Sequence, residues 1–310
     1  MEQRIRQVSR RAFMGYLAAL SALFSLVRPS KSAVKAPLTK AIPKTKERLP
    51  VIGMGSWLTF SVGKHEHARA VRVQVLKTFF EAGGGMIDSS PMYGSSEEVI
   101  GHCLSRIADT GTLFSATKIW TPIQWHGRRQ MSASEKLWNE DRFDLFQIHN
   151  LLSWEAHLET LLEAKASGRI RYVGVTTSHG RKHHELKKIM ANAPIDFVQF
   201  TYNVLDREAE QHLLPLAAER RLAVIINRPF QGGDLFDRLQ HLPLPAWAAT
   251  IDCANWAQFF LKFIVSHPAV TCAIPATSRV DHMRENMGAG RGRQPDFQTR
   301  QRMISYIESL

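Results

Sequence analysis

From residue 50 onward, short β-branched or apolar runs alternate with longer stretches in which apolar residues recur every three or four positions. The short runs predict strands over 51–57, 85–90, 113–120, 143–150, 170–177, 197–202, 222–227 and 270–275. Each is bounded by turn-forming residues and too short for a packed helix. The longer stretches predict amphipathic helices over 70–81, 97–107, 154–166, 183–192, 208–220 and 256–267, and a closing helix near 295–308. The weakest helical pattern, over 130–140 between the third and fourth strands, is short and polar.

Eight strands in strict alternation with helices imply parallel pairing, because each helix carries the chain back to the starting edge of the sheet. Eight such units in a chain of 310 residues fit an α/β fold of the closed (β/α)8 TIM barrel type, with an additional C-terminal helix. No GxGxxG follows any strand, which argues against a Rossmann dinucleotide fold.

Charge changes the picture at one end of the chain. The formal net charge is +12, from 40 Lys/Arg and 28 Asp/Glu. Residues 1–48 hold eleven of the basic and two of the acidic groups, which leaves residues 49–310 a net charge of only +3. A nearly balanced domain carries no footprint for nucleic acid, and none is expected as a partner. The basic end reads as a leader. Arg10 and Arg11 follow Ser9, an uncharged stretch runs from Ala12 to Val27, and small residues follow at Ser30, Ser32 and Ala33. A charged start, a short apolar run and a small-residue site define an export signal, and the run is too short to cross a bilayer comfortably. Arg10-Arg11 with Phe13 is similar to the twin-arginine signal, whose route carries folded proteins. The expected organisation is an export signal over 1–33, a basic tether over 34–48 and the barrel over 49–310. The twin-arginine export machinery is then a partner and the periplasm the destination, with an anchor at the inner membrane as the alternative. A monomer is expected.

Cys103, Cys253 and Cys272 are widely spaced and form no CxxC pair or zinc spacing; Cys103 and Cys272 sit in apolar segments, which predicts buried thiols. His65/His67 and His183/His184 lack the i, i+4 spacing with an acidic third ligand, so no metal is expected.

In barrels, chemistry gathers at the C-terminal ends of strands. Here the second strand ends Asp88-Ser89-Ser90-Pro91-Met92-Tyr93-Gly94, the third ends Thr117-Lys118 and the fourth ends His149-Asn150. These groups suit the protonation of a carbonyl oxygen as hydride reaches the carbon. A phenol has an ordinary pKa of about 10, and a neighbouring ammonium is expected to lower it. Asp88 would pair with Lys118, His149 would orient the oxygen, and Tyr93 would protonate it. Trp57, after the first strand, and Trp120, after the third, are placed at the substrate mouth.

This constellation resembles the aldo/keto reductase family, from about Leu49 to the end of the chain. The stretch from Met86 to Glu97 is similar to that family's D-x(4)-Y-G-x-S-E signature, and Lys118 and His149 match its two other tetrad positions. The resemblance implies an NADP(H)-dependent oxidoreductase that interconverts an aldehyde or ketone with its alcohol, using Asp88, Tyr93, Lys118 and His149. It also implies cofactor contacts. Gln199 matches the glutamine that holds the nicotinamide carboxamide, and Thr176 and Thr177 stand where the family often has Ser and Asn. Asn227 replaces a ring-stacking tyrosine found in many members, with Arg228 beside it. Thr277, Ser278 and Arg279 match the grip on the adenosine 2′-phosphate, and Glu285 and Asn286 the adenine contacts. The chain stops just past its last predicted helix, which implies an open substrate pocket. The alternative is a dinucleotide-binding or sensing protein of the same fold without substantial turnover. A sugar hydrolase needs two carboxylates facing its site, and the strand ends offer only Asp88.

Overall fold

The computed structural model describes residues 36–310. The expected export signal, including Arg10, Arg11 and Phe13, lies outside the described residues. Ala36–Leu310 forms one compact unit, so the packed domain begins earlier than the expected boundary at residue 49. In place of a tether, residues 39–50 form an antiparallel hairpin of β1 (Thr39–Ala41) and β2 (Arg48–Pro50). Two of its lysines are tied to backbone carbonyls of the barrel. Lys40 Nζ donates to the carbonyls of His267 at 2.6 Å and Val270 at 2.8 Å, and Lys44 Nζ to that of Ile195 at 2.5 Å. Glu47 accepts from Arg171 and, at 2.6 Å, from the Tyr172 hydroxyl. Ile42 and Leu49 are buried with Met86, Phe114, Leu145, Tyr172 and Phe197. The hairpin thus caps the N-terminal end of the barrel, where an apolar interior would otherwise meet water.

The barrel strands are β3 (Met54–Gly55), β4 (Met86–Asp88), β5 (Phe114–Ile119), β6 (Phe143–Ile148), β7 (Ile170–Thr176), β8 (Phe197–Thr201), β9 (Ala223–Asn227) and β10 (Cys272–Ala273). Each pairs in parallel with the next, and bridges from Ile52 to Ala273 and from Gly55 to Ala276 close the ring. A Cβ on Gly55 would lie 2.9 Å from the Ile274 carbonyl oxygen, so the closing strands approach too closely for a side chain there.

The helices are α1 (Glu66–Glu81), α2 (Ser96–Leu104), α3 (Gln124–Trp138), α4 (Trp154–Ala166), α5 (His183–Asn192), α6 (Leu213–Glu219), α7 (Asp234–Leu239), α8 (Trp256–Val265), α9 (Val280–Gly288) and α10 (Phe297–Glu308). The weak pattern over 130–140 is part of a longer helix. The buried stripe of α3 is Gly127, Met131, Ser134 and Trp138, a helical spacing hidden by two small residues that do not read as apolar. The pattern over 208–220 divides into a 3₁₀ turn, Glu208–Glu210, and α6. Pro215 lies in the first turn of α6, where its missing N–H leaves no hydrogen bond unmade.

Inward-facing positions step two residues at a time up each strand. The lower layer is apolar: Met86, Phe114, Leu145, Tyr172, Phe197, Ala223 and Cys272. Two or four residues on, the same faces carry Asp88, Lys118, Gln147, Thr176, Gln199 and Asn227. The chemistry is therefore the top layer of the core, placed by strand geometry.

Candidate active site

Asp88, Lys118, Gln147 and Gln199 form one buried network at the C-terminal ends of β4, β5, β6 and β8. Lys118, with no exposed surface, donates from Nζ to Asp88 Oδ1 at 2.5 Å and to the Ser89 carbonyl at 2.7 Å. The other Asp88 oxygen accepts from Gln147 Nε2 at 2.9 Å and Gln199 Nε2 at 3.1 Å. Burial works against the Lys118 charge, but Asp88 and Tyr93 outweigh it and hold its pKa above the ordinary value. A buried cation so paired stays charged.

Tyr93 lies beside this network. Lys118 Nζ is 5.1 Å from the centroid of its ring. The adjacent Gly94 has a φ of +59°, and a Cβ there would meet Ser61 Oγ at 2.4 Å, so glycine alone suits the turn that presents Tyr93. The expected fall in the Tyr93 pKa is not what results. Burial raises it, Lys118 opposes the rise and Asp88 adds to it, and the net direction is upward. Desolvation of a phenolate outweighs one nearby cation, and Tyr93 is held as a protonated phenol.

His149 stands edge-on to Tyr93, with ring centroids 5.7 Å apart. Burial and then the Lys118 charge push its pKa down to about 3, so it is a neutral imidazole at neutral pH. Its Nδ1 is 2.9 Å from Ser90 Oγ. The tetrad is thus one charged pair with two neutral groups facing the barrel mouth.

A cavity of about 760 Å³ opens there. Trp57, Leu58, Met92, Tyr93, His149 and Asn150 line one part of it; Thr176, Thr177, Gln199, Asn227, Arg228, Thr277, Glu285 and Asn286 line another. Thr177 carries a buried hydroxyl with no hydrogen-bond partner among the described residues. An orphaned buried polar atom on a cavity wall fits a ligand that supplies the partner. Asn227 Nδ2 donates to the Thr177 carbonyl at 2.8 Å and reaches Gln199 Oε1 at 3.3 Å, so amide groups cluster beside it. Two threonines, two amides and, farther along, Glu285 and Asn286 fit a long polar molecule with a carboxamide at its inner end.

Three expected contacts are not on the cavity wall. Arg279 is exposed and folds onto the first turn of α9, giving Asp281 Oδ1 a hydrogen bond of 3.0 Å and Oδ2 one of 2.5 Å. A carboxylate two residues on offers its guanidinium a two-pronged partner. Ser278 is half-buried beside it, its carbonyl 3.5 Å from Arg72 Nη1. Trp120 lies outside the cavity wall with 43% of its surface exposed. The Gln130 amide clasps its backbone at 2.8 and 2.9 Å and fixes the turn that leads α3 away from the mouth. Lys118 lies beneath the cavity rather than on it and reaches it through Tyr93.

Sequence reasoning missed Gln147 and Ser90. Gln147 had a legible signal, as an amide two residues past Leu145 on an otherwise apolar inward face. Ser90 had none, because its role depends on a histidine 59 residues away.

A family model described as "Aldo/keto reductase family" matches residues 51–302. Among curated proteins, the methylglyoxal reductase YeaE of Escherichia coli is 26% identical over 243 residues, covering 77% of this chain and 84% of its own. The pyridoxine 4-dehydrogenase of the same organism is 28% identical over 243 residues, covering 71% and 82%. Among solved structures, an aldo/keto reductase from Klebsiella pneumoniae in complex with NADP and acetate superposes with a TM-score of 0.73. It is 23% identical and covers 88% of this chain and 95% of its own.

Proposed function

This chain belongs to the aldo/keto reductase family, and from that premise we propose an NADP(H)-dependent reduction of small aldehydes or ketones, or the reverse oxidation, with Tyr93 moving the proton. The observation that carries this reading is Tyr93 beside the buried Lys118–Asp88 pair, whose Nζ–Oδ1 distance is 2.5 Å, at the wall of a cavity with an orphaned Thr177 hydroxyl. A nicotinamide cofactor held there supplies or accepts the hydride. Thr177, Gln199 and Asn227 would hold its carboxamide end, and Glu285 and Asn286 its adenine end.

The rest is the work of this chain's own side chains. His149 offers a neutral ring nitrogen to the carbonyl oxygen and fixes its approach to Tyr93. Tyr93 gives its phenol proton to that oxygen as negative charge develops on it, and Lys118 stabilises the phenolate left behind. Asp88 keeps Lys118 charged and in place. Gln147 and Gln199 hold Asp88, so that the carboxylate cannot turn to Tyr93 itself. Tyr93→Phe should keep cofactor binding and lower carbonyl reduction by at least about 100-fold; near-normal turnover in that variant would sink the assignment.

The choice of NADP(H) over NAD(H) rests on Arg279. Its pair with Asp281 is solvent-exposed, and exposed pairs contribute little, so the guanidinium is available to a 2′-phosphate dianion. We propose further that the leader sends the folded barrel through the twin-arginine machinery to the periplasm. This reading rests on Arg10, Arg11 and Phe13 in the sequence alone.

A further inference from the structure

Ser90 stands two residues past Asp88, and its hydroxyl oxygen has two contacts. The Met92 N–H donates to Oγ at 3.2 Å, and His149 Nδ1 lies 2.9 Å from the same atom. Ser90 is fully buried and His149 is 5% exposed. A hydrogen bond in such a place goes to a protein group or is lost.

Proton bookkeeping then separates two arrangements. A neutral imidazole carries a proton on one nitrogen and a lone pair on the other. If the proton were on Nδ1, Ser90 Oγ would accept from both the imidazole and Met92. The serine's own hydroxyl proton would then point at nothing, since among the described residues no third partner is within reach of Oγ. If the proton is on Nε2, Oγ accepts from Met92 and donates to the Nδ1 lone pair, and every group is satisfied. Nε2 makes no hydrogen bond within the described residues, and His149 lines the cavity.

We infer that Ser90 is a positioning residue that holds His149 as its Nε2-protonated tautomer, so that the imidazole presents an N–H donor to the substrate's carbonyl oxygen. In this arrangement His149 and Tyr93 both donate to that oxygen, and Tyr93 alone gives up its proton. With the other tautomer, a ring lone pair would face the carbonyl oxygen and repel it as charge develops. The same serine would thus orient the ring, choose its tautomer and, through His149 just past β6, tie that strand end to the loop carrying Tyr93, which the Met92 N–H braces. The inference rests on the carbonyl-reductase reading for its consequence, though not for the tautomer itself.

The test is nitrogen NMR on the full chain with 15N-labelled histidine, the His149 resonances being assigned by their disappearance in His149→Gln. The wild type should show a protonated Nε2 and an unprotonated, hydrogen-bonded Nδ1 across pH 5 to 8. Ser90→Ala should shift the ring toward the other tautomer or a mixture. It should also lower kcat for carbonyl reduction by about tenfold or more, less than the roughly 100- to 1,000-fold for losing a whole donor to a developing oxyanion, because part of the population keeps the Nε2 proton. Cofactor Kd should stay unchanged. Ser90→Thr, which keeps the hydroxyl, should restore the Nε2 tautomer and most of the rate. A wild-type proton on Nδ1 overturns the inference without any variant having to fold. So does a Ser90→Ala protein that keeps both the Nε2 tautomer and the full rate. If the Nε2 tautomer is found but Tyr93→Phe reduces carbonyls as fast as wild type, the functional reading fails and the tautomer assignment stands.

Discussion

At the scale of single residues, burial sets both the charge states and what a substitution costs. Lys118 is tolerated as a buried cation only because Asp88 faces it, so Lys118→Met should cost about 3–5 kcal/mol by leaving a carboxylate unpaired. Urea unfolding of that variant measures it. His149 and His267 are held neutral, chiefly by burial, with pKa values pushed down to about 3 and about 4. In the unfolded chain both take up protons near pH 6.5. Between those values the unfolded state binds more protons than the native one, so stability must fall as pH drops from about 7 toward 4. A urea midpoint that held steady across that window would contradict the burial of both rings. Arg279 makes the opposite kind of prediction, since it is exposed and free to exchange partners. Arg279→Ala should weaken NADPH binding by about tenfold or more, as for a hydrogen bond to a charged group, with NADH little affected. Asp281→Asn, which removes the competing carboxylate, should tighten NADPH. Titration of both cofactors into the two variants checks the pair together, and equal wild-type affinities for NADPH and NADH would remove the basis for it.

At the scale of elements, the barrel was legible wherever a segment's period was its own property. Strand β9 is apolar and largely β-branched up to its last residue, β6 and β7 keep short apolar runs around single polar residues, and α4 and α5 carry their apolar stripes openly. The tetrad was legible for a related reason. Asp88, Lys118 and His149 each end a strand, and strand ends in a barrel converge. What stayed hidden depended on distant partners. The stripe of α3 runs through Gly127, where a Cβ would lie 2.7 Å from the His157 ring, and Ser134, whose buried hydroxyl donates to Glu97 at 3.1 Å. The hairpin of β1 and β2 looked like a charged tether. Its strands are three residues each, and the carbonyls that hold Lys40 come from His267 and Val270, more than 220 positions on. The outward turn of Arg279 was hidden because the choice between Asp281 and a phosphate is not a local one. The hairpin's packing is open to measurement. Ile42→Ala should remove about 2–5 kcal/mol of stability by opening a cavity under the barrel floor. Because Ile42 packs below the apolar layer and the tetrad above it, kcat/KM should hardly change. A loss of activity without loss of stability would mean that the hairpin does more than close the barrel.

At the scale of the whole molecule, the charge distribution and the cavity bear on one question, which is where the protein works. Most of the net +12 lies before residue 49, and the leader's Arg10, Arg11 and Phe13 are the basis for proposing export of the folded chain. Outside the cytoplasm free NADPH is scarce, and an enzyme there cannot depend on collecting it at every turnover. A barrel that takes up its cofactor before export avoids the difficulty. The ligand then also favours the native state by mass action, by about 2.7 kcal/mol at a hundredfold excess over Kd. For a domain of this size that is a rise in Tm of roughly 5–10 °C. Arg10→Lys together with Arg11→Lys should therefore trap the protein in the cytoplasm. Wild-type protein recovered from the periplasm should hold close to one dinucleotide per chain and lose the Tm increment when stripped of it. Its kinetics should be ping-pong, with one substrate reducing the bound cofactor and another oxidising it. Protein that leaves the cytoplasm empty and binds NADPH weakly would end the preloading proposal. Protein that stays inside despite intact arginines would end the export proposal. Neither result would touch the barrel or the roles of Tyr93 and Lys118, which rest on residues 36–310 alone.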